Sequence, residues 1–249
     1  MIRSGFLLMA AATLLVAQSA AEPMPRIAII IDDLGYQLES GRRAIDLPGP
    51  VAFAVLPGTP QGGQLARLAN ERGKEVLMHL PLESVDDRDF LEPGALMLDM
   101  SRTTFAETFA GAIATVPFAI GVSSHRGSLL TRHPGHMGWL MEEIRARENL
   151  FFIDSYTTHE SVALRIAAES GVTATRRDVF LDHDRSTEAV AREFERLKAM
   201  ARQRGSAVAI GHPFRETLEV LERELPKLHA EGFELVTISE LLTRSLNRI

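Results

Sequence analysis

Two adjacent carboxylates, Asp32 and Asp33, close the branched run Ile27-Ala28-Ile29-Ile30-Ile31, and Gly35 follows. Neighbouring acids repel each other and shift each other's pKa unless a cation or a proton lies between them, so such a pair suits one metal ligand and one base. The competing reading is a capping turn, in which one Asp accepts backbone N–H groups and the other faces water. Acids or histidines also end other apolar runs. His79 stands in Val76-Leu77-Met78-His79-Leu80-Pro81, and His125 in Ser123-Ser124-His125-Arg126-Gly127-Ser128. Asp154 follows Phe151-Phe152-Ile153, Asp182-His183-Asp184 closes another run, and His212 lies in Gly211-His212-Pro213. A single histidine after a strand is more often a hydrogen-bonded structural residue than a ligand. Carboxylates and imidazoles converging from several segments are a different matter, because together they can hold a divalent metal that activates water for hydrolysis.

Other histidines are weaker candidates. His133 and His136 are three residues apart and could form a second metal site or line the mouth, but a solvated loop leading into a helix over 139–147 accounts for them more simply. His159, His183 and His229 have no partner in the sequence, although His183 keeps a claim from its two flanking acids.

The elements that must position these groups alternate in a regular βαβα order, the pattern of a mostly parallel sheet wrapped by helices. Strands are expected at 27–31, 51–56, 75–80, 118–123, 150–154, 178–181, 206–210 and 234–237. The clearest helix runs from Thr187 to Arg204, with Val190, Phe194 and Leu197 at helical spacing. A second spans 215–231, and Pro226 should kink or break it. Eight such strands indicate a closed or nearly closed (β/α) barrel, with a doubly wound open sheet as the alternative. Both place the site at the strands' C-terminal ends.

Arg3, the apolar stretch 5–16 and the small residues Ser19-Ala20-Ala21 follow the order of a secretory signal, so residues 1–21 are expected to be a cleaved leader. The apolar stretch is shorter than the ~20 residues that span a bilayer. What remains, about 225 residues, is read as one domain over 25–249. The chain has no cysteine, so an exported protein must do without disulfides and hold any metal with His and carboxylate, a set that suits zinc or manganese. A net charge of -6 without basic blocks excludes a nucleic-acid footprint.

Taken together, Ile31-Asp32-Asp33-Leu34-Gly35, Met78-His79-Leu80-Pro81-Leu82-Glu83, Ser124-His125-Arg126-Gly127-Ser128, Ile153-Asp154-Ser155 and Gly211-His212-Pro213 resemble the divergent polysaccharide deacetylase family over nearly the whole mature chain. The resemblance implies an irregular (β/α) barrel of seven or eight mostly parallel strands, in which a divalent metal, zinc in the first instance, activates water against an acetyl group on a glycan. It makes Asp32 the general base, with Asp33, His79 and His125 as metal ligands. It gives His212 the part of proton donor to the leaving group, oriented by Asp154, and backbone N–H groups around Gly127 and Ser128 an oxyanion. The chain departs from ordinary deacetylases because their two metal histidines share one short motif, whereas His79 and His125 belong to different strands. Arg126 stands where Met is usual and either binds an anionic substrate group or faces solvent. The expected function is therefore an exported, periplasmic hydrolase acting on cell-envelope polysaccharide. The alternative is a non-catalytic relative that binds glycan or a cell-envelope protein partner. Paired carboxylates can also cleave glycosides without metal, but the accompanying histidines argue against it. Tyr36, Tyr156 and Trp139 are the only Tyr or Trp side chains available to pack on a sugar face. Oligomeric state is not encoded in any pattern of the sequence.

Overall fold

Branched residues shielded on both faces favour extended backbone, and residues 27–31 lie fully buried in the first strand, β1 (Arg26–Leu34). The computed structural model describes residues 23–86 and 92–246, so the leader expected over 1–21 lies outside the described residues. After β1 come α1 (Leu38–Ile45), β2 (Ala52–Val55), α2 (Gly62–Glu71), β3 (Val76–Leu82) and α3 (Arg102–Ala114). The middle of the chain forms β4 (Ala119–Arg126), α4 (Pro134–Arg145), β5 (Phe151–Asp154), α5 (Ala163–Glu169), β6 (Ala174–Arg176) and β7 (Val179–Phe180). It ends with α6 (Thr187–Arg204), β8 (Ser206–Gly211), α7 (Arg215–Glu224), β9 (Glu234–Leu235) and α8 (Ile238–Leu246). Among the described residues no helix is long and apolar enough to cross a membrane.

Eight parallel strands run in the order β6-β5-β4-β3-β2-β1-β8-β7 and curl into a half-barrel, with β9 paired to the start of β1. A doubly wound sheet would reverse its order at a switch point. Here consecutive strands are neighbours from β1 to β6 and the last long strand returns beside the first, so the barrel alternative holds. The two edges, β6 and β7, are successive pieces of one extended segment. Its first piece pairs with β5 and its second with β8, with only Arg177 and Asp178 between them. Sequence had not indicated β6, because Ala174, Thr175 and Arg176 are half-buried or exposed and form no apolar run. The helix expected over 215–231 ends at Glu224 and passes into a 3-10 turn, Leu225–Lys227, that contains Pro226.

Side chains alternate across each strand, and this divides the core in two. Ile27, Ile29, Ile31, Phe53, Met78 and Phe152 face the helices. Ala28, Ile30, Ala52, Ala54, Leu77 and Ile153 face inward, with Val208 and Ile210 opposite them. Helix α8 plugs the bottom of this inner layer with Ile238, Leu241 and Leu242. The Glu75 carboxylate holds its N-terminus, accepting from Ile238 N at 2.8 Å, from Ser239 N at 3.2 Å and from the Ser239 hydroxyl.

Gly121, paired with Phe151 across β4 and β5, has no room for a side chain: a Cβ there would stand 2.5 Å from the Phe151 ring. Gly121→Ala should destabilise the fold by about 1–3 kcal/mol, read as a lower denaturant midpoint at unchanged slope.

Candidate metal centre

The inward row of each long strand changes from apolar to polar toward its C-terminal end. In β1 it reads Ala28, Ile30, Asp32, and in β3 Leu77 is followed by His79. In β4 Gly121 is followed by Ser123 and His125, and beyond β8 Ile210 by His212. Strict alternation would turn Asp33 toward the helices. It does not, because the pairing of β1 with β2 slips between Ile31 and Leu34 and Asp33 takes a left-handed conformation with φ 60°. Asp33 is thus the extra residue of a bulge, a device that re-aims a side chain, and Leu34 resumes the outward row beyond it.

Asp33, His79 and His125 meet in the mouth. Asp33 Oδ1 lies 3.2 Å from His79 Nε2 and 3.1 Å from His125 Nδ1, and the two ring nitrogens are 3.0 Å apart. Ligands about 2.0–2.2 Å from one ion stand about 2.8–3.1 Å apart in an octahedron and about 3.3–3.6 Å apart in a tetrahedron. The observed edges of 3.0–3.2 Å are short enough for all three donors to reach one ion, and they form a possible metal-binding triad. The other ring nitrogens are anchored from behind: His79 Nδ1 partners the Ser123 hydroxyl at 2.9 Å, and His125 Nε2 lies 2.9 Å from Glu92 Oε2. Glu92 Oε2 is placed to accept from a protonated Nε2, which would leave the Nδ1 lone pair of a neutral His125 for the cluster, as metal-binding imidazoles require; Arg126 Nε stands 3.4 Å from the same nitrogen. Glu92 was not among the sequence candidates. It belongs to the long connection after β3, where no periodic pattern assigns it a direction.

The electrostatics divide the Asp pair. Burial drives the Asp32 carboxyl upward, and its Oδ1 is buried without a hydrogen-bond donor. Burial acts on Asp33 in the same sense, but the imidazoles of His125 and His79 outweigh it and hold Asp33 well below the usual carboxylate range. Burial opposes protonation of His125, yet Asp33 and Glu92 push it up to about 9. His212 faces the same cleft, with Nε2 3.6 Å from Asp33 Oδ2. Despite burial, the Asp182 carboxylate raises its pKa.

Asp182, not Asp154, orients His212. Asp182 Oδ1 lies 2.9 Å from His212 Nδ1, while Oδ2 accepts from His212 N at 2.6 Å and from Thr217 Oγ1 at 2.7 Å. Asp154 shares the outward parity of Phe152 and accepts from Ser161 Oγ and Tyr156 N instead. The expected oxyanion donor at Gly127 is also engaged elsewhere, since its N–H donates to Leu82 O at 3.0 Å.

Asp32, His79, His125 and His212 open onto a cleft of about 330 Å³, with Arg126, Arg177, Phe180 and His183 on its other walls. Arg126 is half-buried and turns toward Glu92 Oε1 at 4.0 Å, so it lines the site. His136 Nε2 bonds to Leu98 O, and its ring packs on Trp139 away from the cleft. Trp139 packs against the core beside Phe105, which removes it from the sugar-facing candidates.

A parallel half-barrel with this cluster at its strand ends defines a deacetylase-like α/β protein with a candidate metal site. Residues 29–242 match the divergent polysaccharide deacetylase family, and the chain belongs to it. It is 34% identical over 228 residues to the uncharacterized protein YibQ of Escherichia coli (strain K12), an alignment covering 92% of this chain and 70% of that one. The uncharacterized protein ATU2773 of Agrobacterium tumefaciens C58 has a similar structure, with TM-score 0.84 and 22% identity over 89% of this chain and 91% of the other. The peptidoglycan deacetylase PdaC of Bacillus subtilis shares the fold at TM-score 0.54 and 15% identity, over 90% and 93% of the two chains.

If Glu92 fixes the His125 tautomer, Glu92→Ala should weaken divalent-metal binding about 10–100-fold. Zinc competition against a chromophoric chelator measures this, and an unchanged affinity would make Glu92 a purely structural neighbour.

Proposed function

We propose that the protein is an exported, metal-dependent hydrolase that removes acetyl groups from a cell-envelope polysaccharide. The observation carrying this reading is that Asp33, His79 and His125 form one triangle, whose two histidines line a cleft together with Asp32 and with a histidine held by Asp182. Family membership supports the glycan substrate, and the leader expected over residues 1–21 supports a periplasmic location.

A divalent ion such as zinc, held by Asp33, His79 and His125, supplies Lewis-acid activation of water and of the acyl carbonyl when bound. Asp32 then acts as general base. Its free, buried Oδ1 is an acceptor for the proton of attacking water, and a carboxyl raised by burial is better matched to that task than an ordinary one. His212 supplies the opposite function. Asp182 at Nδ1 keeps the ring protonated to higher pH, so Nε2 holds a proton to deliver to the departing amine or alcohol. Phe180, edge-on to His212 at 5.3 Å, excludes water from one side of that transfer.

Asp33→Ala should lose bound metal, whereas Asp32→Asn should keep it and lose about 10²–10⁴-fold in turnover. Metal content measured beside acetate release from acetylated sugar oligomers decides this, and two metal-loaded, fully active variants would refute the assignment. Glycan binding without acetate release would instead make the chain a non-catalytic relative. Asp182→Asn removes what raises the His212 pKa, so the alkaline limb of the pH–rate profile should move toward lower pH.

A further inference from the structure

The handover from β6 to β7 leaves a second cavity beside the first. A groove of about 430 Å³ lies between the Arg177-Asp178 crossing and the first half of α6, and it shares Arg177, Phe180 and His183 with the catalytic cleft. The charges along it are unequally satisfied. The Asp178 carboxylate accepts from Arg204 Nη1 and Val208 N, Glu193 pairs with Arg196, and Asp184 accepts from Ser186 N. Arg177 is different, because its Nε and Nη2 donate only to neutral acceptors, Ser155 O at 2.7 Å and Tyr156 O at 2.9 Å. Those two bonds fix the guanidinium at the junction of the cavities and leave its charge without an ion-pair partner among the described residues. Arg192, one turn into α6 on the groove's far wall, likewise makes no ion pair among the described residues.

We propose that this groove is a subsite for a carboxylate carried by the glycan next to the sugar that is deacetylated. A substrate whose acetyl group lies between Asp32 and His212 leaves the cleft past the Phe180 and His183 rings and next meets Arg177 and Arg192. A guanidinium anchored through two of its nitrogens keeps the third for a charge-assisted hydrogen bond to a carboxylate oxygen. The groove also contains Asp178, Asp184 and Glu193, which would repel a doubly charged phosphate more strongly than a monoanion. The substrate class is therefore an acidic, N- or O-acetylated polysaccharide rather than a neutral one. This inference rests on the glycan-hydrolase reading above.

Binding to the full chain can separate the two. With Asp32→Asn as the background, so that ligand is not consumed, titration calorimetry compares a hyaluronan tetrasaccharide with chitotetraose. Both carry N-acetylglucosamine, but only the first carries carboxylates. The acidic oligomer should bind about tenfold more tightly at low salt and lose that advantage as salt rises. Arg192→Ala, at an exposed helix position, should remove most of the preference and leave chitotetraose binding unchanged. Equal affinities, or a preference that survives Arg192→Ala, would overturn the subsite while leaving the glycan reading standing. Binding of neither oligomer would overturn both.

Discussion

A side chain on a strand can face only two ways, and in this curled parallel sheet that alternation decides which residues meet. Inward positions are apolar near the base, where Ala28, Leu77 and Val208 pack over α8, and polar at the top, where Asp32, His79 and His212 face the cleft. The same chain direction in every strand gathers the polar ends on one side. The inward residues of β2 are Ala52 and Ala54, small enough that groups from β1 and β3 can approach each other over them. His79 and Ser123 stand opposite each other in the β3–β4 ladder, and His125 lies one inward position higher. Two histidines 46 residues apart in the chain thereby reach a common point.

Alternation alone would admit only one acid of an adjacent pair. The bulge at Asp33 admits the second, at the cost of a left-handed backbone that Asp tolerates better than most residues. The two carboxylates then differ through their surroundings. Asp33 is ringed by imidazoles and stays ionised, while Asp32 is buried deeper and is raised. Environments that push neighbouring groups apart in pKa separate the part of ligand from the part of base. Behind them, Ser123 and Asp182 bond the far nitrogens of His79 and His212, and Glu92 stands at ion-pair distance from the far nitrogen of His125.

Much of this was legible in the sequence, and what was not has a physical reason. The long strands are branched runs buried on both faces, and the residues that end them supplied Asp32, Asp33, His79, His125 and His212. The resemblance gives Asp154 the part of orienting His212, but the parity and position of Asp154 point it away, toward Ser161 and Tyr156 N. The strand carrying Phe180 is the immediate neighbour of the one leading to His212, and Phe180 pairs with Ile210, which brings Asp182 level with His212. Consecutive strands tend to lie side by side, and for the pair at 178–181 and 206–210 that tendency favours Asp182 over Asp154. Glu92 offered no such signal, since its position depends on how a long connection folds back over the mouth. Strand β6 was hidden because an edge strand of three half-buried or exposed residues has no apolar signature.

The same edge explains why the barrel stops short of regular closure. Residues 174–180 bond first to β5 and then to β8, and the exchange occurs within one peptide step: Arg177 N donates to Asp154 O, and Asp178 N to Val208 O. A full strand on each side would pair the carbonyls of Ser155 and Tyr156 through backbone. In its place the Arg177 side chain satisfies both. Irregular closure therefore inserts a cation into the wall of the site where the chain passes from β5 to β8. Burial works against that charge, and among the described residues no carboxylate lies within ion-pair distance to relieve it, although Asp32 and Asp154 act on it from further off. A guanidinium held in this way is a standing electrostatic asymmetry in the cleft, set by the break in the sheet and independent of the cluster of histidines across from it.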